Sequence, residues 1–541
     1  MPNTSLIVDL ETTGPGPKPD FRVDEVTQVG WLPLDGDVAK WAKCFCPLPP
    51  FNPIICHNAS YDVGVMARQA TFYPVSDPGV FLRHVSIHDT LALAYTQGKQ
   101  DLSLKGLGAS ELGVVTVPYA QRHLIGDEQY LAQDLFLTRD LLKKLLPLNH
   151  GAAYDIDRAL IPALIDCSYR GYEVDQDRLE QAIIEAEVTR ARMEAAFGRM
   201  TAGVEVLHSR RKRVRKSGTD YVEKHGLPSI GSTMHLRQLF SRTLPVPLDE
   251  IDSTDRETLE LYASWGGEAG ILADLILRWR KASKALTTYF YPLQGEDRLT
   301  GLFNITPNED MEGGTGTGRL SSERDNMQNQ PPAVQRCLRA PEGYLLRRGD
   351  YPQIELRCAA EISDDPTMLE ALSDPGRDLH QETADRLFGG DRQRGKVFNF
   401  KELYIAGPAV KAAYPRFYEW AQEHWAGVQR TSYSVSPEPF LHRRFIPLLA
   451  GEHARMAAIN HPVQSMAVYI TKVAMTRLFQ EGSLLINQVH DSIHDYVPDD
   501  CDRGLTARNM SSTMEATMKE YLPRVGNAPV EVKIGRYWSD E

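Results

Sequence analysis

The spacing of apolar and polar residues predicts alternating strands and helices over the first 150 residues. Apolar runs at Leu6 to Leu10 and around Val26 to Leu32 are typical of buried strands. Apolar residues then recur at helical spacing over Tyr61 to Ala70 and over Leu135 to Leu146. We therefore predict an α/β domain in this part of the chain.

A second region, from about Asp155 to Ala285, has a mostly helical pattern. Charged amphipathic helices are predicted over Asp175 to Arg199 and Leu275 to Leu286, and six of the seven residues from Arg210 to Lys216 are basic. The glycine-rich segment Glu312 to Gly318 opens the C-terminal half. Because there is no internal repeat and no low-complexity linker, we expect closely packed domains.

Composition narrows the class of protein. The chain has 541 residues, 42% of them hydrophobic and 24% charged, which indicates a globular protein of several domains. Seven cysteines without a CxxC motif exclude a disulfide framework and a zinc knuckle. The N-terminus does not resemble a signal peptide, and no apolar run is long enough to span a membrane, so we expect a soluble cytoplasmic protein.

The net charge of −12 would ordinarily argue against a nucleic-acid partner. Positive charge is nevertheless concentrated at Arg210 to Lys216 and at Arg392 to Lys396. A charge average does not describe a surface, so a nucleic-acid partner stays open.

Acidic residues recur at the predicted strand and helix ends of the N-terminal domain. Asp9 and Glu11 lie on one side of a strand, and Tyr130 and Asp134 share a helix face, while Asp62 begins another helix. Such oxygen ligands suit Mg²⁺ or Mn²⁺, and two ions roughly 4 Å apart can activate a water against a phosphodiester. Tyr130 would orient that water.

Two further acids lie far apart in the C-terminal half. Asp350 directly precedes a segment with strand-like alternation, and Asp491 follows the apolar run Leu484 to Ile486. Each lies at a predicted strand boundary. They can therefore meet only through the fold.

Between these acids, Arg392, Lys396, Phe400 and Tyr404 recur every four residues. Two cations followed by two aromatic side chains on one helix face suit a triphosphate at one end and a base and sugar at the other. For an isolated helix the alternative is a solvated amphipathic face with salt bridges.

The N-terminal segments IVDLETTG, HNASYD and YLAQD resemble, in this order, the three motifs of proofreading 3′-5′ exonucleases of the DEDD type, tyrosine subclass. Ile87 to Leu93 resembles the segment that follows the second motif. The resemblance implies an RNase H-like fold, metal ligands at Asp9, Glu11, Asp62 and Asp134, and a nucleophile-positioning role for Tyr130. The alternative is a set of unrelated surface acids and a core tyrosine.

The C-terminal segments resemble family A DNA polymerases. Arg348 to Arg357, Arg392 to Tyr404 and Gln488 to Asp491 are similar to motifs A, B and C of that family. The flanking segments Thr317 to Ser322, Asn326 to Pro331, Asp378 to Ala384, Asn460 to Gln464 and Val530 to Gly535 are also similar.

The implied fold is a multidomain α/β protein in which an RNase H-like exonuclease domain precedes a right-hand polymerase domain with palm, fingers and thumb and an antiparallel palm sheet. The predicted domains are the exonuclease at 1–150, connecting segment and thumb at 151–300, first palm part with motif A at 301–375, fingers with motif B at 376–450, and second palm part with motif C at 451–541.

The resemblance also implies site residues. Each active site would bind two Mg²⁺ ions, for which Mn²⁺ could substitute, and the polymerase ligands would be Asp350, Asp491 and the carbonyl of Tyr351. The catalytic residues would be Asp350, Asp491 and Lys396, with Tyr130 in the exonuclease site. Deoxynucleotide would contact His380, Arg392, Lys396, Phe400, Tyr404, Gln353 and Glu355. DNA would contact Arg319, Gln464, His490, Arg210, Arg211, Lys212 and Arg213.

The chain departs from the family pattern at several positions. Pro352 replaces a serine in what we predict to be a strand, Lys401 and Ile405 replace glycines, and Ser492 replaces the carboxylate that normally follows the motif C aspartate. Asp495 is a candidate to supply the missing carboxylate from the adjoining strand.

The leading hypothesis is a template-directed DNA polymerase with proofreading, of the phage replicative type, acting in the host cytoplasm. Its partners would be primer-template DNA and deoxynucleoside triphosphates, with no membrane contact, and it would be a monomer. The alternatives are a 3′-5′ exonuclease whose polymerase half is weak or mainly binds DNA, a single-subunit RNA polymerase, which Glu355 disfavours, and a non-catalytic DNA clamp.

Overall fold

The structure is a computed structural model that describes residues 4–16, 18–44, 46, 48, 51–69, 78–148, 150–215, 218–244, 247–307, 316–374, 376–526 and 529–539. The chain divides into two compact units. The first comprises Met1–Tyr172, Leu299–Asn329 and Ala340–Tyr537, and the second comprises Glu173–Arg298, Gln330–Arg339 and Trp538–Glu541. No helix in the described ranges is both long and apolar enough to cross a bilayer.

The N-terminal part of the first unit is built on a five-stranded mixed sheet. Its strands are β1 (Thr4–Thr13), β2 (Glu25–Pro33), β3 (Lys40–Lys43), β4 (Phe51–Cys56) and β5 (Ile87–Asp89), in the order β3-β2-β1-β4-β5. β1 pairs antiparallel with β2 and parallel with β4. The two strands predicted from apolar runs are therefore the central neighbours β1 and β2.

Helices cover this sheet. They are α1 (Ala59–Arg68), α2 (Pro78–His84), α3 (Thr90–Thr96), α4 (Leu104–Leu107) and α5 (Asp127–Leu145), with a π-helical turn at Gly108–Leu112 and a 3₁₀ turn at Tyr119–Leu124. α5 approaches the sheet at Gly30, where an added Cβ would lie 2.7 Å from Leu131 Cγ. Because only glycine leaves that space, α5 can bring its side chains close to β1.

A four-stranded antiparallel sheet forms the centre of the C-terminal part of the first unit. Its strands are β13 (Tyr344–Asp350), β16 (Leu484–Val489), β17 (Ser492–Pro498) and β18 (Glu531–Gly535), in the order β16-β17-β13-β18. Short hairpins are formed by β10 (Leu302–Asn304) with β11 (Ser321–Glu323) and by β14 (Tyr433–Val435) with β15 (Arg443–Phe445).

The remaining helices of the first unit surround this sheet. They are α6 (Ala153–Arg170), α13 (Ile354–Ser363), α14 (Pro366–Ser373), α15 (Leu379–Leu387), α16 (Arg392–Ile405), α17 (Pro408–Ala413), α18 (Pro415–Thr431), α19 (Glu452–Gln480) and α20 (Arg503–Tyr521). A 3₁₀ turn spans Leu448–Ala450. α16 is the helix predicted from the four-residue recurrence of cations and aromatics.

The strand predicted after Asp350 was wrong. Asp350 ends strand β13, Pro352 lies in the following turn, and α13 begins at Ile354. The short alternation of apolar and polar residues misled the prediction because both Glu355 and Arg357 are buried in this helix, together with the apolar residues around them. A helix that is buried on most sides does not show an amphipathic period.

The second unit contains α7 (Gln176–Met200), α8 (Thr233–Thr243), α9 (Arg256–Trp265), α10 (Gly267–Lys284), α11 (Tyr291–Leu293) and α12 (Pro332–Gln335), with a 3₁₀ turn at Leu248–Glu250 and a π-helical turn at Ala285–Phe290. Its core includes Phe197, Val206, Phe240, Leu259 and Ile276. Short strands β6 (Tyr172–Val174), β9 (Arg298–Leu299) and β12 (Leu338–Arg339) form a sheet in the order β12-β6-β9.

The basic run lies in a β-hairpin and not in a helical region. β7 (Val206–Arg215) pairs antiparallel with β8 (Gly218–Gly226), so that Arg211 faces Val222 and Arg213 faces Asp220 in the register. Lys216, the last basic residue of the run, lies outside the described residues. Valine, threonine and tyrosine within 214–222 favour strands, a signal that the charged composition obscured.

Candidate active sites

Three of the predicted carboxylates come together at β1, the central strand of the five-stranded sheet. Asp9 and Glu11 lie on this strand, and the Leu10 N–H between them donates a hydrogen bond of 3.2 Å to Asp62 Oδ1 on α1. Burial, and then the charge of Glu11, raise the pKa of Asp9 to about 7. Burial and the charge of Asp9 also raise the pKa of Asp62 well above its ordinary value. The carboxylates therefore repel one another.

α5 adds Asp134 and Tyr130, and α4 adds a cation that the sequence did not predict. The Lys105 ammonium forms an ion pair with Asp134 Oδ1 and lies 4.4 Å from the centroid of the Tyr130 ring. Burial lowers the pKa of Lys105 to about 8, although the charges of Asp9 and Glu11 act to raise it. Lys105 thus lies close to three of the four predicted carboxylates, Asp134, Asp9 and Glu11.

Asp89 fixes the start of α1. Its carboxylate accepts backbone hydrogen bonds from Asn58 N (3.0 Å), Ala59 N (2.9 Å) and Leu91 N (2.9 Å), and burial raises its pKa to about 6. These bonds attach the end of β5 to the turn of α1 that carries Asp62. The sequence resemblance included this segment, but nothing in the spacing indicated that Asp89 would hold the backbone.

This N-terminal cluster has the donor chemistry of a divalent-metal site. Within the part of the chain that the structure describes, no group of three or more His, Cys, Asp or Glu side chains is arranged as a finished metal site. All the acids of the cluster nevertheless offer oxygen ligands, and a bound cation would offset the burial and the repulsion by Glu11 that raise the pKa of Asp9. They could hold a hard divalent ion in the place that the Lys105 ammonium faces.

The second cluster lies on the four-stranded sheet. Asp350 is the last residue of β13 and lies opposite Ser492 on β17. Asp491 precedes Ser492 in the tight turn between β16 and β17, and its carbonyl accepts a hydrogen bond of 3.4 Å from Tyr351 N. The register therefore brings the two predicted aspartates side by side, although 140 residues separate them in the sequence.

The pKa values of both aspartates are raised. Burial, with the charges of Glu355 and Asp350, raises the pKa of Asp491 to about 7. Burial and Glu531, which lies opposite Asp350 on β18, raise the pKa of Asp350. Lys396 lowers both values, so its ammonium faces the pair. Carboxylate oxygens that repel each other also fit divalent cations.

Helix α16 presents the residues predicted to bind a nucleotide. Lys396 is exposed, and Arg392 Nε donates a hydrogen bond of 2.6 Å to Asp378 Oδ2 at the start of α15. The rings of Phe400 and Tyr404 are stacked, with centroids 6.1 Å apart. The two cations and the two aromatic rings thus follow one another along the helix, as the four-residue recurrence predicted.

Tyr404 contacts Glu355, an acid within the segment that resembles motif A. Its hydroxyl donates a hydrogen bond of 2.6 Å to Glu355 Oε2, and Glu355 Oε1 forms an ion pair with the Arg319 guanidinium. Arg319 also lowers the pKa of Asp491. Three of the predicted site residues therefore form one bonded chain beside the aspartate pair.

The other residues predicted for this site differ in burial and in backbone conformation. His380 is only 2% exposed, and burial lowers its pKa to about 4, so it is a neutral side chain packed on Phe400. Gln353 (φ 51°) and His490 (φ 55°) both have left-handed backbone conformations at the turns beside the aspartates. Gln464 lies half-buried on α19.

One candidate from the sequence, Asp495, does not take the expected place, whereas metal binding by the Tyr351 carbonyl stays a prediction. Tyr351 has a buried ring, and its hydroxyl donates to Met514 O at 2.8 Å, so its side chain is part of the core. Asp495 does not supply the carboxylate missing at Ser492, because it is fully buried and accepts two hydrogen bonds from Arg347. It is three residues from Ser492 on a strand, which places it on the opposite face of the sheet.

Comparisons with known proteins find similarity to DNA polymerases. Residues 204–410 match the family model for DNA polymerase family A. The thermostable DNA polymerase I of Thermus filiformis is 29% identical over 496 residues, which cover 83% of this chain and 54% of that protein. The DNA polymerase I of Pseudomonas aeruginosa is 26% identical over 553 residues, which cover 89% of this chain and 56% of that protein. The chain is thus similar to DNA polymerase family A over residues 204–410 and to DNA polymerase I over most of its length.

The chain spans about half the length of the curated relatives that it matches. It is also similar to a solved structure described as the POL domain of Pol1 from M. smegmatis in complex with DNA primer-template and dNTP. The TM-score is 0.74 at 20% sequence identity, and the match covers 99% of this chain and 96% of that one. The likeness shows that this chain has the α/β fold of a family A polymerase domain.

Proposed function

We propose that this chain is a template-directed DNA polymerase that adds deoxynucleotides to a primer 3′ end and carries a second, 3′-5′ exonuclease site, as in phage-type DNA replication. The observation that carries the proposal is the strand register of β13 and β17, which puts Asp350 beside Asp491 with Lys396 facing both. Phosphoryl transfer needs positioning and charge neutralisation, and this arrangement supplies both.

Divalent ions, when bound, would lower the pKa of the attacking oxygen and neutralise charge on the phosphate in both sites. In the C-terminal site Asp350 and Asp491, with the carbonyl of Tyr351, would hold them. Lys396 and Arg392 bind the triphosphate on α16 and offset the charge that develops during transfer. His380 is neutral and can contribute a hydrogen bond but no charge to this contact.

Selection of the nucleotide involves the bonded chain of Glu355 and Tyr404. Glu355 is held by Arg319 and by the Tyr404 hydroxyl, so its carboxylate cannot easily swing aside. A fixed carboxylate at the sugar position excludes a ribose 2′-hydroxyl by contact. Phe400 and Gln353 line the same approach, and a phenylalanine at 400 favours discrimination against dideoxynucleotides.

The N-terminal cluster would hydrolyse the last phosphodiester of a primer. Asp9, Glu11, Asp62 and Asp134 would hold the metal ions, and the Tyr130 hydroxyl would orient the attacking water. Burial raises the pKa of Tyr130 to about 12, so the phenol keeps its proton at neutral pH and can donate it in a hydrogen bond. The expected donor and acceptor roles of this side chain are then both possible.

Duplex DNA would contact Arg319, Gln464 and His490 beside the aspartate pair, and the hairpin of β7 and β8 in the second unit. Five of the ten residues of β7, including Arg210, Arg211, Lys212 and Arg213, are basic. Contacts of this kind position phosphates and carry little sequence information. The monomeric state and the cytoplasmic location stay predictions.

A primer-template assay with Mg²⁺, run with and without deoxynucleotides, tests both sites. Asp350→Ala should abolish extension, by at least about a thousandfold, and keep degradation of the primer. Asp9→Ala should do the reverse. Asp37→Ala, at a side chain that is 98% exposed, is the control and should change neither activity. Extension that survives in Asp350→Ala would contradict the proposal.

A second candidate function is a 3′-5′ exonuclease whose polymerase half mainly binds DNA. The observation that favours it is Ser492, because the residue opposite Asp350 offers a hydroxyl in place of a carboxylate. It predicts a wild-type protein that shortens the primer and does not extend it at any deoxynucleotide concentration.

A further inference from the structure

A buried tyrosine of the N-terminal part touches the backbone next to Arg319. Tyr95 lies on α3 and is 4% exposed, and the Gly318 N–H donates a hydrogen bond of 3.0 Å to its hydroxyl. The two residues are 223 positions apart in the sequence. The ring of Tyr95 packs on His442, with centroids 4.8 Å apart, which fixes where the hydroxyl can reach.

The ring of Tyr469 also restricts the backbone at Gly318. Gly318 has a left-handed φ of +81°, and an added Cβ would lie 3.2 Å from Tyr469 Cε2 on α19. The Tyr469 hydroxyl donates a hydrogen bond of 3.0 Å to Asp157 Oδ2 on α6. This hydrogen bond fixes the orientation of the Tyr469 side chain. Gly318 therefore lies between two oriented aromatic side chains, those of Tyr95 and Tyr469.

The position of Gly318 determines where Arg319 begins. The Arg319 guanidinium pairs with Glu355. Glu355 in turn accepts the hydrogen bond of Tyr404. A shift of the backbone at Gly318 would therefore move the cation that holds Glu355, a proposed nucleotide contact.

We propose that Tyr95 is a positioning residue for the polymerase site, through which the N-terminal domain holds Arg319 in place. The inference rests on the proposed polymerase function, because extension of a primer is its readout. It assigns to the N-terminal domain a part in nucleotide addition that is separate from its own carboxylate cluster. It follows that the Tyr95 hydroxyl on α3 influences nucleotide incorporation at the primer terminus.

The test uses the full chain and the substitution Tyr95→Phe, which removes the hydroxyl and keeps the ring. The matched control is Tyr154→Phe, because Tyr154 is another buried tyrosine whose hydroxyl bonds to His88 and to Asp89 N and has no contact with Gly318. Single-nucleotide incorporation is measured on primers with a phosphorothioate 3′ linkage, which resists degradation.

We expect Tyr95→Phe to slow incorporation at a matched primer terminus by roughly three- to tenfold, the usual effect of one hydrogen bond, and Tyr154→Phe by less than about twofold. The thermal stabilities of the two variants should be similar. A Tyr95→Phe protein that incorporates like Tyr154→Phe would overturn the inference. A wild-type protein that does not extend primers would instead overturn the proposed function.

A double substitution shows whether Tyr95 acts through Arg319. Arg319→Ala removes the side chain that the hydrogen bond is inferred to place. Adding Tyr95→Phe to it should then slow incorporation by less than about twofold more, since coupled residues are not additive. Two effects that multiply in full would mean that Tyr95 acts by another route, against the inference. The discrimination between matched and mismatched termini should also fall in Tyr95→Phe and stay unchanged in Tyr154→Phe.

Discussion

Lys472 Nζ lies 2.5 Å from Asp157 Oδ1, and the two side chains are 1% and 0% exposed. The Tyr469 hydroxyl donates to the other oxygen of Asp157, so the carboxylate has two donors. Burial acts to raise the pKa of Asp157, whereas Lys472 lowers it. The pair joins α6 to α19, and the charge of each partner acts against the effect of burial on the pKa of the other.

Removing one partner of this pair should be costly. Asp157→Ala leaves the Lys472 ammonium buried without its counter-ion, and we expect the free energy of unfolding to fall by about 3–5 kcal/mol. The double substitution Asp157→Leu with Lys472→Met should lose much less, because no charge stays buried. Urea unfolding followed by circular dichroism measures both. Glu260→Ala, in a largely exposed ion pair with Arg256, should have little effect, because solvent screens the pair.

The raised pKa of Asp491 predicts a pH-dependent cost to stability. The value of about 7 lies above the ordinary 3.8, so between these values the folded protein holds a proton that the unfolded chain has released. The cost of the buried charge is therefore full above pH 7 and absent below about pH 4. Without metal, Asp491→Asn should raise the free energy of unfolding by on the order of 2–4 kcal/mol at pH 8 and leave it unchanged at pH 4.

Metal binding provides a control for the predicted stability of Asp491→Asn. Mg²⁺ should stabilise the wild type at pH 8 more than Asp491→Asn, because the ion offsets the repulsion that the substitution has already removed. Equal stabilisation of the two proteins would show that Asp491 does not hold the metal. Thermal unfolding with a chelator and with added Mg²⁺ measures the difference.

Tyr130→Phe should affect one activity only. It removes the hydroxyl beside the N-terminal carboxylates and keeps the ring that Lys105 contacts. We expect primer degradation to slow by roughly 10- to 100-fold, since the variant cannot make the oriented hydrogen bond to the nucleophile, with extension unchanged. Tyr119→Phe is a useful control, because the ring of Tyr119 packs edge-on against Tyr130 and is more exposed. A normal rate of degradation in Tyr130→Phe would exclude a role for this hydroxyl.

The basic hairpin should act on affinity and not on chemistry. Replacing Arg210, Arg211, Lys212 and Arg213 by glutamine removes four charges from β7. The slope of log affinity against log salt concentration should then become shallower by about 0.9 for each phosphate that the variant no longer neutralises, up to about 3.6. The rate of incorporation at saturating DNA should not change. Fluorescence anisotropy with a labelled duplex at several salt concentrations checks the slope, and an unaltered slope would place the DNA elsewhere.

The sequence predicted most of the acids at both sites because they follow apolar strands or begin helices, which are local signals. Asp9 and Glu11 needed only the alternation of β1, and Asp350 and Asp491 lie at strand ends. Asp350 and Asp491 come together only through the pairing register of β13 and β17, which are far apart in the sequence. The resemblance to known motifs supplied that long-range information, which periodicity alone does not contain.

The residues that the sequence did not reveal owe their roles to tertiary contacts. Lys105 lies on a four-residue helix and reaches Asp134 only because α4 and α5 pack together. Glu531 faces Asp350 through the pairing of β18 with β13. Tyr95 belongs to an apolar helix that looks like ordinary core. No spacing rule connects such residues to a site, so only the folded chain shows them.

The pairing of β13 with β17 has a consequence for the order in which the protein matures on the ribosome. Domains generally fold as units and N-terminal ones first. All the carboxylates of the first cluster have been made once Asp134 leaves the ribosome. The second pair cannot form until β17 has emerged and paired with β13, a strand made much earlier. We therefore expect a nascent chain to gain the means to shorten DNA before it gains the means to lengthen it.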